Sequence, residues 1–154
     1  MDVCFYFQLH QPRRVRRYQV FDIGSGEAYF DEAKNRDTLS RVASRCYVPA
    51  ARIRAQLARD EGARIALSVG GVLVEQMQRF APEALASLEE LAGTGGAELL
   101  SETSHHSLSS LANADEFADP VRIHRGLMKS VFGATPRVFR NTEIIVSDAL
   151  TPVV

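Results

Sequence analysis

Three short stretches concentrate histidine, carboxylate and amide groups in an otherwise ordinary chain. His10-Gln11-Pro12 follows an aromatic, apolar run. Glu102 stands just ahead of His105-His106. Asn141-Thr142-Glu143 follows Arg137-Val138-Phe139-Arg140. Glu143 is flanked by Arg140, Asn141 and Thr142, and a carboxylate held by such donors stays ionised and suits a nucleophile or an electrostatic stabiliser. The plainer alternative is a surface glutamate capping a following helix. His10 could bond a substrate hydroxyl, move a proton, or simply close a strand end on backbone. His10, Glu102, His105 and His106 also offer donors of the kind that suit zinc or iron. Their spacing contains neither His-x-x-x-His nor His-x-Asp, and adjacent histidines point in different directions, so no metal is assigned.

Other features carry less. Arg13-Arg14-Val15-Arg16-Arg17 could meet phosphate, but four charges without a basic helix face are more often a solvated loop. Gly70-Gly71 lacks the wider spacing of a dinucleotide fingerprint and reads as a tight strand-to-helix turn. Cys4, inside an apolar run, is expected to be an inert core thiol. Cys4 and Cys46 make neither a disulfide framework nor a metal spacing. With 18 Lys+Arg against 19 Asp+Glu over 154 residues, the net charge is −1, which argues against a protein built mainly to bind nucleic acid. No apolar run approaches the ~20 residues of a membrane span. The opening residues lack the basic start and apolar core of a secretory signal. A cytoplasmic enzyme or binding domain is the expectation.

The elements that must position these groups alternate. Val3–Leu9 reads as a strand buried on both faces. Pro12 ends it, and a long polar connection runs from Arg13 to Lys34. Asn35 or Asp37 could cap a helix toward Cys46. Pro49 restarts one whose apolar face is Ala50, Ile53, Leu57 and Ala58, with Gly62 as its stop. Arg64–Val69 is a second strand, followed by helices over Val72–Phe80 and from Pro82 to Leu91. Ala97–Ser101 is a third strand. A helix over Asp115–Phe132, capped by Asp115 and stopped at Gly133, precedes a fourth strand, Arg137–Arg140. Ser147 or Asp148 begins a further helix. The order β-α-β-α-β-α-β implies a parallel α/β sheet with right-handed crossovers. In such sheets functional groups gather at the carboxyl ends of the strands. His10, Glu102 and Glu143 each follow such an end, and three of the four histidines lie there. His124 lies mid-helix.

These stretches resemble a known family. Phe5-Tyr6-Phe7-Gln8-Leu9-His10-Gln11-Pro12-Arg13-Arg14, then Arg17-Tyr18 and Phe21-Asp22-Ile23-Gly24, resemble the start of glycoside hydrolase family 57, closest to its α-amylase-like members. Glu98 to Leu108 is similar to the family's next motif region, and Arg137 to Glu143 to its nucleophile segment. The resemblance implies a (β/α)7 TIM-like barrel, here an incomplete one with four parallel strands alternating with helices. It implies retaining cleavage of α-glucans with Glu143 as nucleophile, and His10, Gln11, Glu102, His106 and Asn141 lining the sugar-binding cleft. Such two-carboxylate chemistry needs no metal or organic cofactor.

Two departures accompany the likeness. Ser104-His105 stands where many relatives carry aromatic residues, which would weaken sugar stacking. The family's general acid is an aspartate from a later strand, and nothing places Asp148 across a cleft from Glu143. Residues 1–154 are therefore expected to form the N-terminal portion of the catalytic barrel, inactive alone: a truncated product, a fragment, or one piece of a split enzyme whose complementary chain completes the barrel on an α-glucan or oligosaccharide substrate. Two rivals stand beside this. One is a metal-dependent polysaccharide deacetylase-like enzyme, and the other is a non-catalytic carbohydrate-binding remnant.

Overall fold

The computed structural model describes residues 3–26, 28–142, 144, 145, 147–152 and 154. Three parallel strands form the sheet in the order β1-β2-β3: β1 (Tyr6–Leu9), β2 (Ile65–Val69) and β3 (Ala97–Leu99). Tyr6 pairs with Ala66 and Ala66 with Glu98; Phe7 pairs with Leu67 and Leu67 with Leu99. The register places Phe7, Leu67 and Leu99 in one row, and these residues, with Leu9 and Val69, belong to the main core. Because side chains alternate across a pleated sheet, the opposite face carries Tyr6, Gln8, Ala66, Ser68 and Glu98.

The expected fourth strand is reduced to one contact. Phe139 meets Ser101 in an isolated parallel bridge. The Ser101 N–H donates to Val138 O, and the Arg140 N–H donates to Ser101 O. The direction and neighbour are those expected, but no four-strand ladder forms among the described residues. Arg140 nevertheless reaches back across the sheet. Its guanidinium lies 4.1 Å above the Tyr6 ring and Nη1 donates to Tyr6 Oη at 2.9 Å.

β1 is shorter and more open than its composition suggests. It is an edge strand, so Phe5 remains 60% exposed and the Cys4 thiol is exposed rather than buried. The connection after it carries two local elements. Val15 and Phe30 form an antiparallel bridge, and a 3-10 turn covers Val20–Asp22.

Helix α1 (Glu32–Val42) is capped by Asp31, whose carboxylate accepts the Lys34 N–H, and not by Asn35 or Asp37. It does not stop near Cys46. A π-helical turn, Ala43–Tyr47, carries it into α2 (Val48–Asp60). Pro49 has no N–H to donate. The wider turn absorbs that loss, with the Val48 N–H donating to Ala43 O as π geometry allows. The buried row of α2 is Ala51 and Ala55, following Tyr47, while Ile53 is 60% and Leu57 46% exposed. The apolar face therefore differs from the one that hydrophobicity alone selects. Small side chains permit close approach: a Cβ on Gly96 would lie 2.5 Å from Ala58 Cβ.

α3 (Gly71–Phe80) and α4 (Pro82–Gly93) follow β2, and α5 (Ala114–Phe132) follows β3. Asn113 caps α5, accepting from the Asp115 and Glu116 N–H groups, so Asp115 is a first-turn residue and not the cap. Gly133, at φ 65°, stops the helix as expected. The 147–150 segment supplies only a 3-10 turn, Asp148–Leu150. Leu39, Val74, Met77, Leu88 and Met128 bring α1, α3, α4 and α5 into one core with the strands. Phe117, Val121 and Leu150 form a second cluster against Phe139. Among the described residues no helix is long and apolar enough to cross a membrane.

Candidate functional site

The carboxyl ends of the three strands converge on Gly70. The β1–β2 ladder runs to this residue, whose N–H donates to Leu9 O. A Cβ built on Gly70 would sit 3.3 Å from Glu102 Oε1 and 3.4 Å from His10 Nδ1. Glycine therefore lets the acidic group beyond β3 and the imidazole beyond β1 approach the same point. The next residue is tighter still: a Cβ on Gly71 would lie 2.6 Å from Ser104 O. The paired glycines thus serve close backbone approach beneath the site.

His10 stacks on His106 with ring centroids 3.6 Å apart and planes 16° from parallel. A cleft of about 420 Å³ opens beside them, lined by His10, Pro12, Arg13, Phe30, Val72, His105 and His106. Arg13 lies 5.2 Å over the Phe30 ring and pairs with Glu75 at 2.7 Å. The backbone at His10 and Gln11 is fastened from behind. Tyr47 Oη donates to His10 O at 3.3 Å and Gln76 Nε2 to Gln11 O at 2.6 Å.

Glu102 is 1% exposed. Burial pushes its carboxyl up to about 7, against a smaller pull from the Ser68 hydroxyl and the Arg140 charge toward the ionised form. A carboxylic acid in that range carries a proton for part of the time near neutrality and can donate as well as accept. Ser101 Oγ, Glu102 Oε1, Thr103 Oγ1, Asn141 Oδ1 and Thr142 Oγ1 are buried without hydrogen-bond partners. Such groups are uncommon in cores, and these five gather where β3 and the Phe139 bridge end.

The expected site residues are only partly brought together. His10 and Glu102 meet at Gly70, and His106 stacks on His10. The Gln11 amide turns instead to Arg14: with its oxygen facing the guanidinium it accepts two N–H groups at 2.6 and 2.9 Å. Asn141 is buried, its Nδ2 donating to Ile145 O at 2.9 Å. It lines a separate cleft of about 500 Å³ with Arg125, Arg137 and Arg140. Glu143 lies outside the described residues. Among the described residues no three His, Cys, Asp or Glu side chains are grouped to hold a metal ion.

Two contributors, Tyr6 and His124, escaped the strand-end reasoning, which does place Ser68 at the end of β2. Tyr6 had no signal beyond membership of a strand. His124 did have one: it falls in the row Phe117, Val121, His124, Met128, the buried face of α5, so helical periodicity marks it as a histidine on an apolar stripe.

Comparison with known proteins follows the same outline. The sequence model of glycosyl hydrolase family 57 matches residues 4–154. A protein of Methanocaldococcus jannaschii bearing the name "Putative alpha-amylase" is 35% identical over 156 residues, covering 99% of this chain and 33% of that protein. The chain thus spans about a third of the length of the curated relative it matches. Among solved structures, a 4-alpha-glucanotransferase from Thermococcus litoralis shares 15% identity at a TM-score of 0.72, covering 97% of this chain and 20% of that one. A peptidoglycan deacetylase from Bacillus subtilis shares 17% identity at a TM-score of 0.50, covering 68% of this chain and 48% of that one.

Proposed function

Because the chain belongs to glycosyl hydrolase family 57, we propose that residues 1–154 are the nucleophile-bearing N-terminal portion of a barrel domain that cleaves or transfers α-glucans with retention. Glu143 is the nucleophile in this account. It follows the segment that carries the Phe139 bridge, where a parallel sheet places reactive groups. Its carboxylate would attack the anomeric carbon and form a glycosyl-enzyme. Water would release the sugar in hydrolysis, and a sugar hydroxyl in transfer. Both steps need a proton donor roughly 5–5.5 Å away on the other side of the glycosidic bond. That donor would come from a further strand completing the barrel.

The remaining groups hold the sugar. The stacked His10 and His106 rings offer N–H and N: positions at the cleft floor, which can bond ring hydroxyls. Phe30 supplies the aromatic wall that Ser104 and His105 do not. Glu102 lies buried behind His10, outside the cleft lining, and with its carboxyl near 7 it supports that floor at neutral pH without a full buried charge. Gln11 acts through Arg14, and Asn141 through its hydrogen bond to Ile145 O. The observation that carries this assignment is the meeting of His10 and Glu102 at Gly70, with His106 stacked on His10, inside the stretch that the family model covers.

Oligosaccharide titration followed by NMR tests it. Maltotetraose added to the 154-residue chain is expected to shift the His10 and His106 imidazole signals, with binding weakened in His106→Ala. No response to maltotetraose, with a zinc-dependent response to chitotetraose, would overturn the glucan assignment in favour of deacetylase-like chemistry.

A further inference from the structure

His124 is wholly buried on α5, and both ring nitrogens meet backbone. Nε2 lies 3.0 Å from Val69 O. A carbonyl only accepts, so Nε2 carries the proton. Nδ1 is then the bare nitrogen and accepts the Glu102 N–H at 3.3 Å. One neutral ring thereby ties the last residue of β2 to the backbone beyond β3. Burial holds the imidazole below its ordinary value, against a smaller opposing effect of the Val69 carbonyl. A charged ring would turn a second N–H toward the Glu102 N–H, a donor facing a donor.

The neighbouring turn of α5 repeats the contact. Pro120 O accepts the Ser104 N–H at 3.0 Å. Pro120 and His124 are separated by roughly 6 Å of helix rise. Glu102 and Ser104, two residues apart, would be separated by roughly 6.6 Å if the chain between them is extended. The two spacings match, so one face of α5 can hold the backbone on both sides of Thr103. The ring does not bond the Glu102 carboxyl itself, since Nε2 is 3.9 Å from Oε1, beyond hydrogen-bond reach.

We propose that His124 is a positioning residue for Glu102: a neutral imidazole, protonated on Nε2, clamps the β2 and β3 ends so that the buried Glu102 carboxyl is held against Gly70 and His10, behind the cleft that His10 lines. The proposal rests on the α-glucan assignment only for what occupies the cleft. The groups that face the Glu102 carboxyl are His124 from α5, Ser68 from β2, Arg140 from the bridged segment and His10 from the end of β1.

Histidine 15N spectra of the 154-residue chain, with 13C titration of the Glu102 carboxyl, test this. The His124 ring is expected to stay neutral with its proton on Nε2 between pH 6 and 8. His124→Asn keeps an acceptor near the Nδ1 position, and its Glu102 midpoint is expected to stay within about half a pH unit of wild type. His124→Leu keeps bulk without an acceptor, and His124→Gln keeps only a donor toward Val69. In both, the Glu102 midpoint is expected to fall by more than about one pH unit, as a loosened strand end lets the carboxyl reach water. If the leucine variant does not fold, the Asn and Gln pair carries the comparison. A charged ring or an Nδ1–H tautomer at neutral pH would overturn the proposal. So would Gln and Leu variants that leave the Glu102 midpoint unmoved, the result expected of a residue that only fills space. Loss of maltotetraose binding in the wild type with the His124 signature intact would instead overturn the glucan assignment alone.

Discussion

Replacing Glu102 with glutamine removes a buried acid while keeping its shape and a polar end. Folding lifts this carboxyl from 4.5 to about 7, chiefly through burial. The folded chain therefore holds the proton more tightly than the unfolded one, and stability falls as pH rises from 4.5 through 7 before levelling off. At ~1.4 kcal/mol per pH unit, the full span costs the wild type about 3 kcal/mol. Some 2 to 3 kcal/mol of that falls between pH 5 and pH 8. His124 works in the opposite sense. Its value is lowered on folding, so its contribution is lost as pH drops below 6.5. Both proteins keep His124, so the difference between them isolates Glu102. Urea unfolding of wild type and Glu102→Gln at pH 5, 6, 7 and 8 measures it. The variant is expected to gain about 2–3 kcal/mol relative to wild type from pH 5 to pH 8. A difference that stays constant within about 0.5 kcal/mol would mean that Glu102 titrates like an exposed glutamate, refuting the buried placement.

Two further substitutions probe the frame. Ala55→Leu overpacks the buried row of α2 and is expected to cost about 1–3 kcal/mol, whereas Leu57→Gln, on the exposed side, should change stability by no more than about 0.5 kcal/mol; urea melts showing the reverse order would mean that α2 is turned the other way. Gly71→Ala drives a methyl to within 2.6 Å of Ser104 O and is expected to cost about 1–3 kcal/mol while shifting the Glu102 and Ser104 amide signals; unchanged signals would show that this close approach does not hold the loop.

Much of this frame could be read from the residues because local rules decide it. β2 is a short apolar run between Gly62 and Gly70, β3 starts directly after Gly95-Gly96, and Gly133 takes the left-handed conformation its position after an amphipathic helix suggests. Alternation of strand and helix then fixes the parallel order, and with it the end where His10 and Glu102 meet. What failed depends on neighbours far along the chain. Ile53 and Leu57 look like a core face, but α2 docks on the side that carries Ala51 and Ala55, and they join the main core while Ile53 and Leu57 stay exposed. Cys4 and Phe5 look buried on both sides until β1 is known to be an edge. The 137–140 segment has strand character yet makes a single bridge. Pro49 signals a helix start by its chemistry, but a π turn absorbs it without a break. His124 shows the opposite case. Its place in the Phe117–Met128 row was readable, while its tie to Val69 and Glu102 depends on how α5 docks beside two strand ends.

The central claim is that Glu143 is the nucleophile of a retaining α-glucan site. A glycosyl fluoride has a leaving group that needs no proton, so the first step can proceed without a general acid. Incubation of the 154-residue chain with 5-fluoro-α-glucosyl fluoride, followed by peptide mass spectrometry, reads the bond directly. A slowly formed fluoroglucosyl ester on Glu143 is expected, diminished by excess maltotetraose and absent from Glu143→Gln. A label on Glu102 or another carboxylate, or no label on Glu143 in a folded sample, would contradict it.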